Sequence, residues 1–246
     1  MILGLHHKMT LSDFLIIPAT AEHISYAETI CNEMFESAKA RGTGIARRKP
    51  EYVARKIEEG KAVIALHKDG RWAGFCYIET WGHGDYVANS GLIVSPEFRK
   101  VGLAKAIKKR IFDLSREKYP NSKIFGLTTG LAVMKINSDL GYEPVTYSEL
   151  TQDEEFWKGC QSCINFDILV SKERKNCMCT AMLWDPVEKE RELKEKIQRR
   201  AEAKERLDRI VKKQSLLKRI EAKLFRSSKK FIAAILPVGT GFVKGI

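Results

Sequence analysis

The sequence predicts a mixed α/β fold, in which helices flank a mostly antiparallel central sheet, followed by a cysteine-containing extension and a long basic C-terminal helix. Apolar runs of strand length alternate with segments of helical period through residues 14–147. Lys68-Asp69-Gly70, between two of those runs, is typical of a tight hairpin turn, so the sheet cannot be all parallel. Residues 187–246 hold 18 Lys and Arg against 8 Asp and Glu, whereas residues 1–186 hold 25 against 23, which sets a basic tail apart from a nearly neutral body.

Each element follows from local patterning. Pro18 ends a first short apolar run, Gly42 follows a helix, Pro50 suits the start of the next helix and Gly60 closes it. The predicted strands are 14–17, 61–66, 71–80, 86–94, 123–129 and 143–147, and the predicted helices are 24–40, 51–59, 102–118 and 132–140.

Composition and charge divide the chain into three parts. We expect a core over residues 1–150, a cysteine-containing extension over 151–186 and a basic helical tail over 187–246, with the boundary of the tail near Asp185-Pro186. The sequence contains no apolar run long enough to cross a membrane and no pattern of a secretory signal. With six cysteines that would then stay reduced, we expect a cytoplasmic protein.

The most informative stretch is Leu92-Ile93-Val94-Ser95-Pro96-Glu97-Phe98-Arg99-Lys100-Val101-Gly102-Leu103-Ala104. A strand ends at Val94 and a helix begins near Gly102, so the turn between them aims unpaired backbone N–H groups at one point, at the positive end of a helix dipole. Gly102 removes a Cβ where phosphate oxygens would approach the main chain, and Arg99 adds positive charge. The alternative is an ordinary turn from strand to helix that contains a glycine.

The pattern R-x-x-G-x-A in that stretch is similar to the acyl-CoA signature of GNAT N-acyltransferases. Further along, Leu140-Gly141-Tyr142-Glu143-Pro144-Val145 resembles the entry of that family's next strand, and the element order over residues 14–148 resembles its fold. The resemblance implies that acetyl-CoA is the acyl donor. Its binding residues would be Ile93, Val94, Arg99, Lys100, Val101, Gly102, Leu103 and Ala104, with the pantetheine arm lying between strands 86–94 and 123–129.

An amine acceptor must lose its proton before or during attack, so the site needs a general base or a water path to one. Glu79 at the end of a strand and His83 in the following loop are our main candidates, because carboxylate and imidazole side chains are common general bases. Asp85 and Glu97 are further candidates. The loop position of His83 is equally consistent with a plain surface residue, and a glutamate such as Glu97 is more often a solvated turn residue.

One position departs from the family pattern. Many members carry a tyrosine that protonates the leaving thiolate four residues before the glycine of L-G-[F/Y], and this chain has Asn137 there. Asparagine cannot act as an acid, so Tyr86, Tyr142 or water would have to serve, or the thiolate would leave unassisted. A thiol pKa near 8.5 makes the thiolate a tolerable leaving group.

The extension holds two close pairs of cysteines, Cys160 with Cys163 and Cys177 with Cys179. Four thiolates in two pairs could form a tetrahedral zinc site. The alternative is four inert thiols on adjacent strands, 165–170 and 180–184. Cys31 and Cys76 lie in apolar periodic segments and are expected to be core residues.

The tail, beginning at Glu188, has alternating charge and a thin apolar stripe that Arg200, Lys204 and Gln214 interrupt. Phe231–Pro237 is apolar but too short to span a bilayer. An acidic partner or an anionic membrane surface would suit the charge, and nucleic acid is disfavoured. We favour a solvated helix whose stripe packs on its own domain or on a second subunit.

Together these observations predict an N-acyltransferase that moves an acetyl or other short acyl group to the primary amine of a small molecule. The body with its cysteine-containing extension also resembles the N-acetylglutamate synthase-like group of arginine biosynthesis. If glutamate is the acceptor, Arg47, Arg48 and Lys49 are the cations expected to meet its carboxylates. The alternatives are acylation of a protein or peptide amine, and an acyl-CoA sensor without turnover.

Overall fold

The computed structural model describes residues 9–42 and 47–235. Its strands are β1 Phe14–Pro18, β2 Ala62–His67, β3 Trp72–Trp81, β4 Tyr86–Val94, β5 Lys123–Thr128, β6 Glu143–Val145 and β7 Thr180–Trp184. Its α-helices are α1 Ala27–Ala40, α2 Pro50–Glu58, α3 Leu103–Lys118, α4 Leu131–Asp139, α5 Glu154–Lys158, α6 Phe166–Ser171 and α7 Pro186–Ile235. The end of the predicted apolar segment of the tail, from residue 236 onward, lies outside the described residues, as does the start of the chain.

Seven strands form one sheet in the order β1-β2-β3-β4-β5-β7-β6. Every neighbouring pair is antiparallel except β4 with β5, which run parallel because α3 crosses over between them. The predicted fold class, a mostly antiparallel sheet flanked by helices, is therefore confirmed. The extension also contributes to this sheet, since β7 lies between β5 and β6.

Apolar side chains cover both faces of the sheet. On one face α3 buries Leu103, Ile107 and Ile111 against alternate residues of β2, β3 and β4. On the other face α1 and α2 bury Ile30, Met34, Val53 and Ile57, among others. We call these the α3 face and the α2 face. Side chains of successive strand residues alternate between the α3 face and the α2 face. Neighbouring residues on β3 and β4 therefore place their functional groups on opposite faces of the sheet.

One expectation about the extension is wrong. Residues 165–170 do not form a strand, because α6 occupies Phe166–Ser171 and packs Leu169 into a third apolar cluster. The chain separates into two compact units, Met1–Lys189 and Glu190–Ile246. Of the second unit, the structure describes residues 190–235, which belong to the long polar helix α7. Among the described residues, no helix combines the length and the apolar character that crossing a bilayer would need.

Candidate active site

The parallel strands β4 and β5 separate from one another after a short paired region. Their register joins Tyr86, Val87 and Ala88 to Lys123, Ile124 and Phe125 and continues no further, although β4 extends to Val94 and β5 to Thr128. The gap beyond Ala88 and Phe125, which we call the fork, leaves one edge of β4 without a partner strand. Unpaired N–H and C=O groups on such an edge can bind an extended ligand.

The unpaired stretch of β4 also contains a bulge. Phe75 pairs with Ile93 and Tyr77 pairs with Ser90, so Cys76 alone lies opposite both Gly91 and Leu92. Gly91 has a φ of 65°, and a Cβ there would lie 2.4 Å from Cε1 of Tyr77. Only glycine fits this backbone and this space. The bulge was not predicted from the sequence, although an isolated glycine inside a strand pattern is the signal for one.

Beyond Val94, the loop 95–102 leads into α3 and presents an anion-binding geometry. Lys100 and Gly102 have positive φ values of 70° and 85°, which turn successive N–H groups toward one side. A Cβ on Gly102 would meet no atom within 4 Å, so open space lies in front of the first turn of α3. That turn has no acidic residue and no side-chain cap. Its free N–H groups and helix dipole therefore suit a phosphate.

The residues of the R-x-x-G-x-A pattern have different contacts in this loop. Leu103 is fully buried in the α3-face core and Val101 packs against the same core, so both anchor the loop and offer only backbone groups. Arg99 does not stand free. Its Nε donates to the Val94 carbonyl at 3.1 Å, and its Nη2 donates to Ser37 Oγ at 2.7 Å and to Glu33 Oε1 at 3.2 Å on α1.

Glu79 lies on β3 opposite Ala88, beside the base of the fork, and its side chain is buried on the α2 face. Tyr52 donates a short hydrogen bond to Glu79 Oε1, and Arg48 Nη2 lies 3.7 Å from the same oxygen. Arg48 Nε also donates to the Tyr77 hydroxyl at 2.8 Å. Burial and the neighbouring Glu79 raise the pKa of Tyr52, so that its hydroxyl stays protonated and remains a donor.

The other candidate bases occupy different positions. His83 is exposed, with a φ of 56°, in the turn that joins β3 to β4 at the paired end of β4 and β5. Asp85 is exposed in the same turn. Glu97 pairs with Arg71 on the surface at the opposite end of β4. Of the four candidates, only Glu79 is both buried and next to the fork.

Asn137 of α4 lies against β5, which borders the fork opposite β4. It is 1% exposed, its Nδ2 lies 3.6 Å from Met182 Sδ, and its Oδ1 has no hydrogen-bond partner. The space beside Gly126, the first β5 residue beyond the paired region, is filled by the Asn137 amide. A buried acceptor without a donor is costly, so a donor from a ligand would be favourable there.

The four cysteines of the extension do come together. Cys160, Cys163, Cys177 and Cys179 line one cavity of about 40 Å³, and Tyr147 Oη lies 2.8 Å from Cys177 Sγ. Burial raises the pKa of Cys160 to about 11 and that of Cys179 to about 12, so these thiols hold their protons. Within residues 9–42 and 47–235, no three His, Cys, Asp or Glu side chains are arranged to hold a metal ion. The zinc prediction is therefore not supported.

Known proteins share this architecture. Residues 29–132 match the acetyltransferase (GNAT) family. Thialysine N-epsilon-acetyltransferase of Caenorhabditis elegans is 24% identical over 146 residues, which span 58% of this chain and 89% of the relative. The N-acetylglutamate synthase of Neisseria gonorrhoeae, solved with coenzyme A and N-acetyl-glutamate, superposes with a TM-score of 0.50 at 18% identity. That match covers 72% of this chain and 36% of the synthase chain, and it shows a shared fold.

The match over residues 29–132 includes β4 and β5, which border the fork, together with the loop 95–102 and most of α1. The resemblance first carried by R-x-x-G-x-A is thus supported by the fold and by the relatives. Residues 29–132, which are less than half of the chain, thus match a domain of the GNAT acetyltransferases.

Proposed function

We propose that the protein transfers an acetyl group from acetyl-CoA to the primary amine of a small molecule, and that the acceptor is an amino acid, glutamate being one candidate. The observation that carries this proposal is the fork, because it opens next to a loop built for phosphate. A donor with a diphosphate at one end and an extended arm at the other fits that combination.

The residues of the loop and of β4 would hold the donor. Backbone N–H groups from Lys100 to Ala104 would bind the diphosphate, and the unpaired edge at Ile93 and Val94 would bind the arm. The bulge at Gly91 frees N–H groups that can polarise a carbonyl oxygen at the inner end of the edge. When bound, acetyl-CoA supplies a thioester carbonyl as the electrophile.

Glu79 is the proposed general base. Its carboxylate is buried beside the fork, where Tyr52 and Arg48 fix its orientation. A carboxylate in this position takes the proton that the amine must lose, either directly or through one water molecule. The amine would arrive from the α2 face, because Glu79, Tyr52 and Arg48 all lie on that side.

The acceptor class is inferred from the same face. Arg48 is 23% exposed and keeps guanidinium donors that can meet a carboxylate. Arg47 stacks on Phe35 at 4.3 Å from the ring centroid, and Lys49 is exposed at the start of α2. The names of the C. elegans relative and of the N. gonorrhoeae synthase both concern amino-acid amines, which supports an acceptor with an amine and a carboxylate.

Two glycines provide a matched test of the donor site. Gly102→Val should abolish binding of acetyl-CoA in calorimetry, because a branched side chain would fill the open space in front of α3. The expected loss of binding free energy corresponds to several hydrogen bonds to charged groups, each of which contributes about 1.5–3 kcal/mol. Gly70→Val is the control, since Gly70 has a φ of 89° and equally open surroundings in the β2–β3 turn. Near-native affinity in Gly102→Val, on folded protein, would place the diphosphate elsewhere.

The activity itself is tested by a panel of amino acids with acetyl-CoA or succinyl-CoA, read by release of free thiol. We expect turnover with acetyl-CoA and at least one amino acid. The second candidate function is an acyl-CoA sensor, which Asn137 favours because an amide at that position cannot act as an acid. A sensor would bind acetyl-CoA by calorimetry and release no thiol with any amine, peptide amines included.

A further inference from the structure

The α3 face contains a buried lysine, Lys108. Lys108 on α3 is 2% exposed, and its Nζ donates to Asn89 Oδ1 at 3.4 Å. The Nζ also lies 5.1 Å from the centroid of the Tyr142 ring. Lysine is almost never fully buried without a partner, and no carboxylate of the described residues forms an ion pair with this one.

Asn89 holds this lysine in a defined network. Its Oδ1 accepts a second hydrogen bond from the Tyr142 hydroxyl at 3.1 Å, and its Nδ2 donates to Ser115 Oγ at 2.8 Å. Ser115 in turn donates to the Ile111 carbonyl at 2.8 Å. Every polar atom of the asparagine is thus engaged, so its side chain and the lysine beside it are fixed before any ligand binds.

The network lies directly under the fork. Asn89 is the first β4 residue beyond the last pair, Ala88 with Phe125. Val94 pairs with Gly74 and Asn89 with Ile78, so the bulged stretch between them spans four positions of β3, or about 13 Å, which is a length that a pantetheine arm can follow from the loop. The sulfur of a bound donor would therefore lie at the bulge, two residues from Asn89, with Glu79 on the opposite face of the sheet.

We propose that the Lys108 ammonium stabilises the negative charge on the departing sulfur of CoA, and so performs electrostatically what a tyrosine acid would do at the Asn137 position. The inference rests on the proposed acetyl transfer. In that step the amine nitrogen bonds to the acetyl carbon, and the carbon–sulfur bond breaks with its electron pair left on sulfur. The surplus amine proton goes to Glu79. Lys108 does not touch the sulfur. It is a positioning residue, because its charge acts on the sulfur through the intervening Asn89, to which it is hydrogen-bonded.

The surroundings permit this role at neutral pH. Burial lowers the pKa of Lys108 to about 8, so the ammonium form still predominates. The titratable groups that face it are Cys76 from β3 and Tyr142 from the turn after α4. Burial raises the pKa of Cys76 to about 11 and the pKa of Tyr142 well above its ordinary value, so both remain neutral. A new anion nearby would then be the first counter-charge that Lys108 meets.

The direct test measures the pKa of the thiol of bound CoA. Full-length protein is saturated with CoA, the pH is raised, and formation of the thiolate is monitored by its ultraviolet absorbance. We expect a value at least about one unit below that of free CoA, because a cation nearby favours the thiolate. Lys108→Met, which keeps the length and removes the charge, should return the thiol pKa to that of free CoA and lower kcat about tenfold, since one unit is a factor of ten. Lys109→Met is the control, because Lys109 is exposed and paired with Asp113.

A merely structural lysine predicts different results. Replacing an unpaired buried charge by an apolar side chain should leave the melting temperature of Lys108→Met equal or higher, whereas loss of a structural contact would lower it. The wild-type titration needs no variant, so the proposal can be tested even if Lys108→Met does not fold. An unshifted thiol pKa in the wild type, or the same shift in Lys108→Met, overturns the proposal. Failure of the wild type to bind CoA at all overturns the proposed function with it.

Discussion

The two faces of the sheet at the fork carry opposite charges in different surroundings. On the α2 face, Glu79 belongs to a group of polar side chains that includes Arg48, which reaches solvent. On the α3 face, Lys108 is enclosed by Asn89 and by the Tyr142 ring, with no carboxylate of the described residues paired to it. One face can exchange protons with solvent or an incoming amine, and the other holds a fixed charge.

In the proposed transfer, this difference matches what each reactant would need. An amine must enter, lose a proton and be selected, so its face needs access and adjustable partners. A leaving sulfur needs a charge that is already in place, because a preorganised charge in a site of low dielectric requires no rearrangement during the reaction. Adjacent strand positions serve both needs, since Ile78 and Glu79 on β3, and likewise Ala88 and Asn89 on β4, point to opposite faces.

The largest effect is expected from the α2 face. Glu79→Gln keeps the shape and the Tyr52 contact but cannot accept a proton, so kcat/KM should fall by about 10²–10⁴-fold while calorimetry shows unchanged binding of acetyl-CoA. His83→Gln, in the exposed turn, should retain wild-type activity. A larger loss in His83→Gln than in Glu79→Gln would move the base to that turn and remove the contrast between the faces.

A smaller effect, on stability, is expected from a substitution at the bulge in β4. Gly91→Ala would place a Cβ against Tyr77, and we expect the free energy of unfolding to fall by about 1–3 kcal/mol through overpacking. Gly84→Ala is the matched control, because Gly84 also has positive φ, at 101°, but open space around it. Thermal or urea unfolding of both variants separates the clash from the shared backbone strain. Equal losses would mean that the bulge tolerates a side chain.

A still smaller effect should appear at the outer end of β4. Glu33 pairs with Arg99, so Glu33→Gln should leave the guanidinium freer to meet the donor and tighten binding of acetyl-CoA. An exposed ion pair is worth about 0–1 kcal/mol, which limits the gain to about fivefold in Kd. Glu36→Gln, on the exposed side of the same helix, should change nothing. Weaker binding in Glu33→Gln would show that Glu33 instead holds Arg99 in its productive position.

The smallest effect is expected from the tail. Deleting residues 190–246 keeps Lys189, which pairs with Glu143 in the first unit. We expect an unchanged melting temperature and unchanged binding of acetyl-CoA, because the fork, the loop and both charged faces lie in Met1–Lys189. Aggregation or a changed oligomeric state on size exclusion would show that the exposed apolar residues of α7, such as Leu193 and Ile197, are normally covered. The predicted three-part division of the chain would then need revision.

The sequence alone determined the element order, the fold class and the loop at 99–104, because each depends on local signals. Apolar periodicity marks β4 and α3, Gly70 marks the hairpin turn, and Gly102 marks a place without a Cβ at the start of α3. Such signals act over a few residues and survive without knowledge of distant contacts. They also located Glu79 and His83 as candidates, yet they could not rank them.

The tertiary structure decided everything that depends on separate segments meeting. It buried Glu79 against Tyr52, left His83 exposed, directed Arg99 to Glu33, and brought the four cysteines around one cavity in no metal-binding arrangement within the described residues. It also enclosed Lys108, which in the sequence is one of several lysines on an amphipathic helix. Burial and charge pairing arise from packing between distant positions, and a pattern of neighbouring residues carries no information about them.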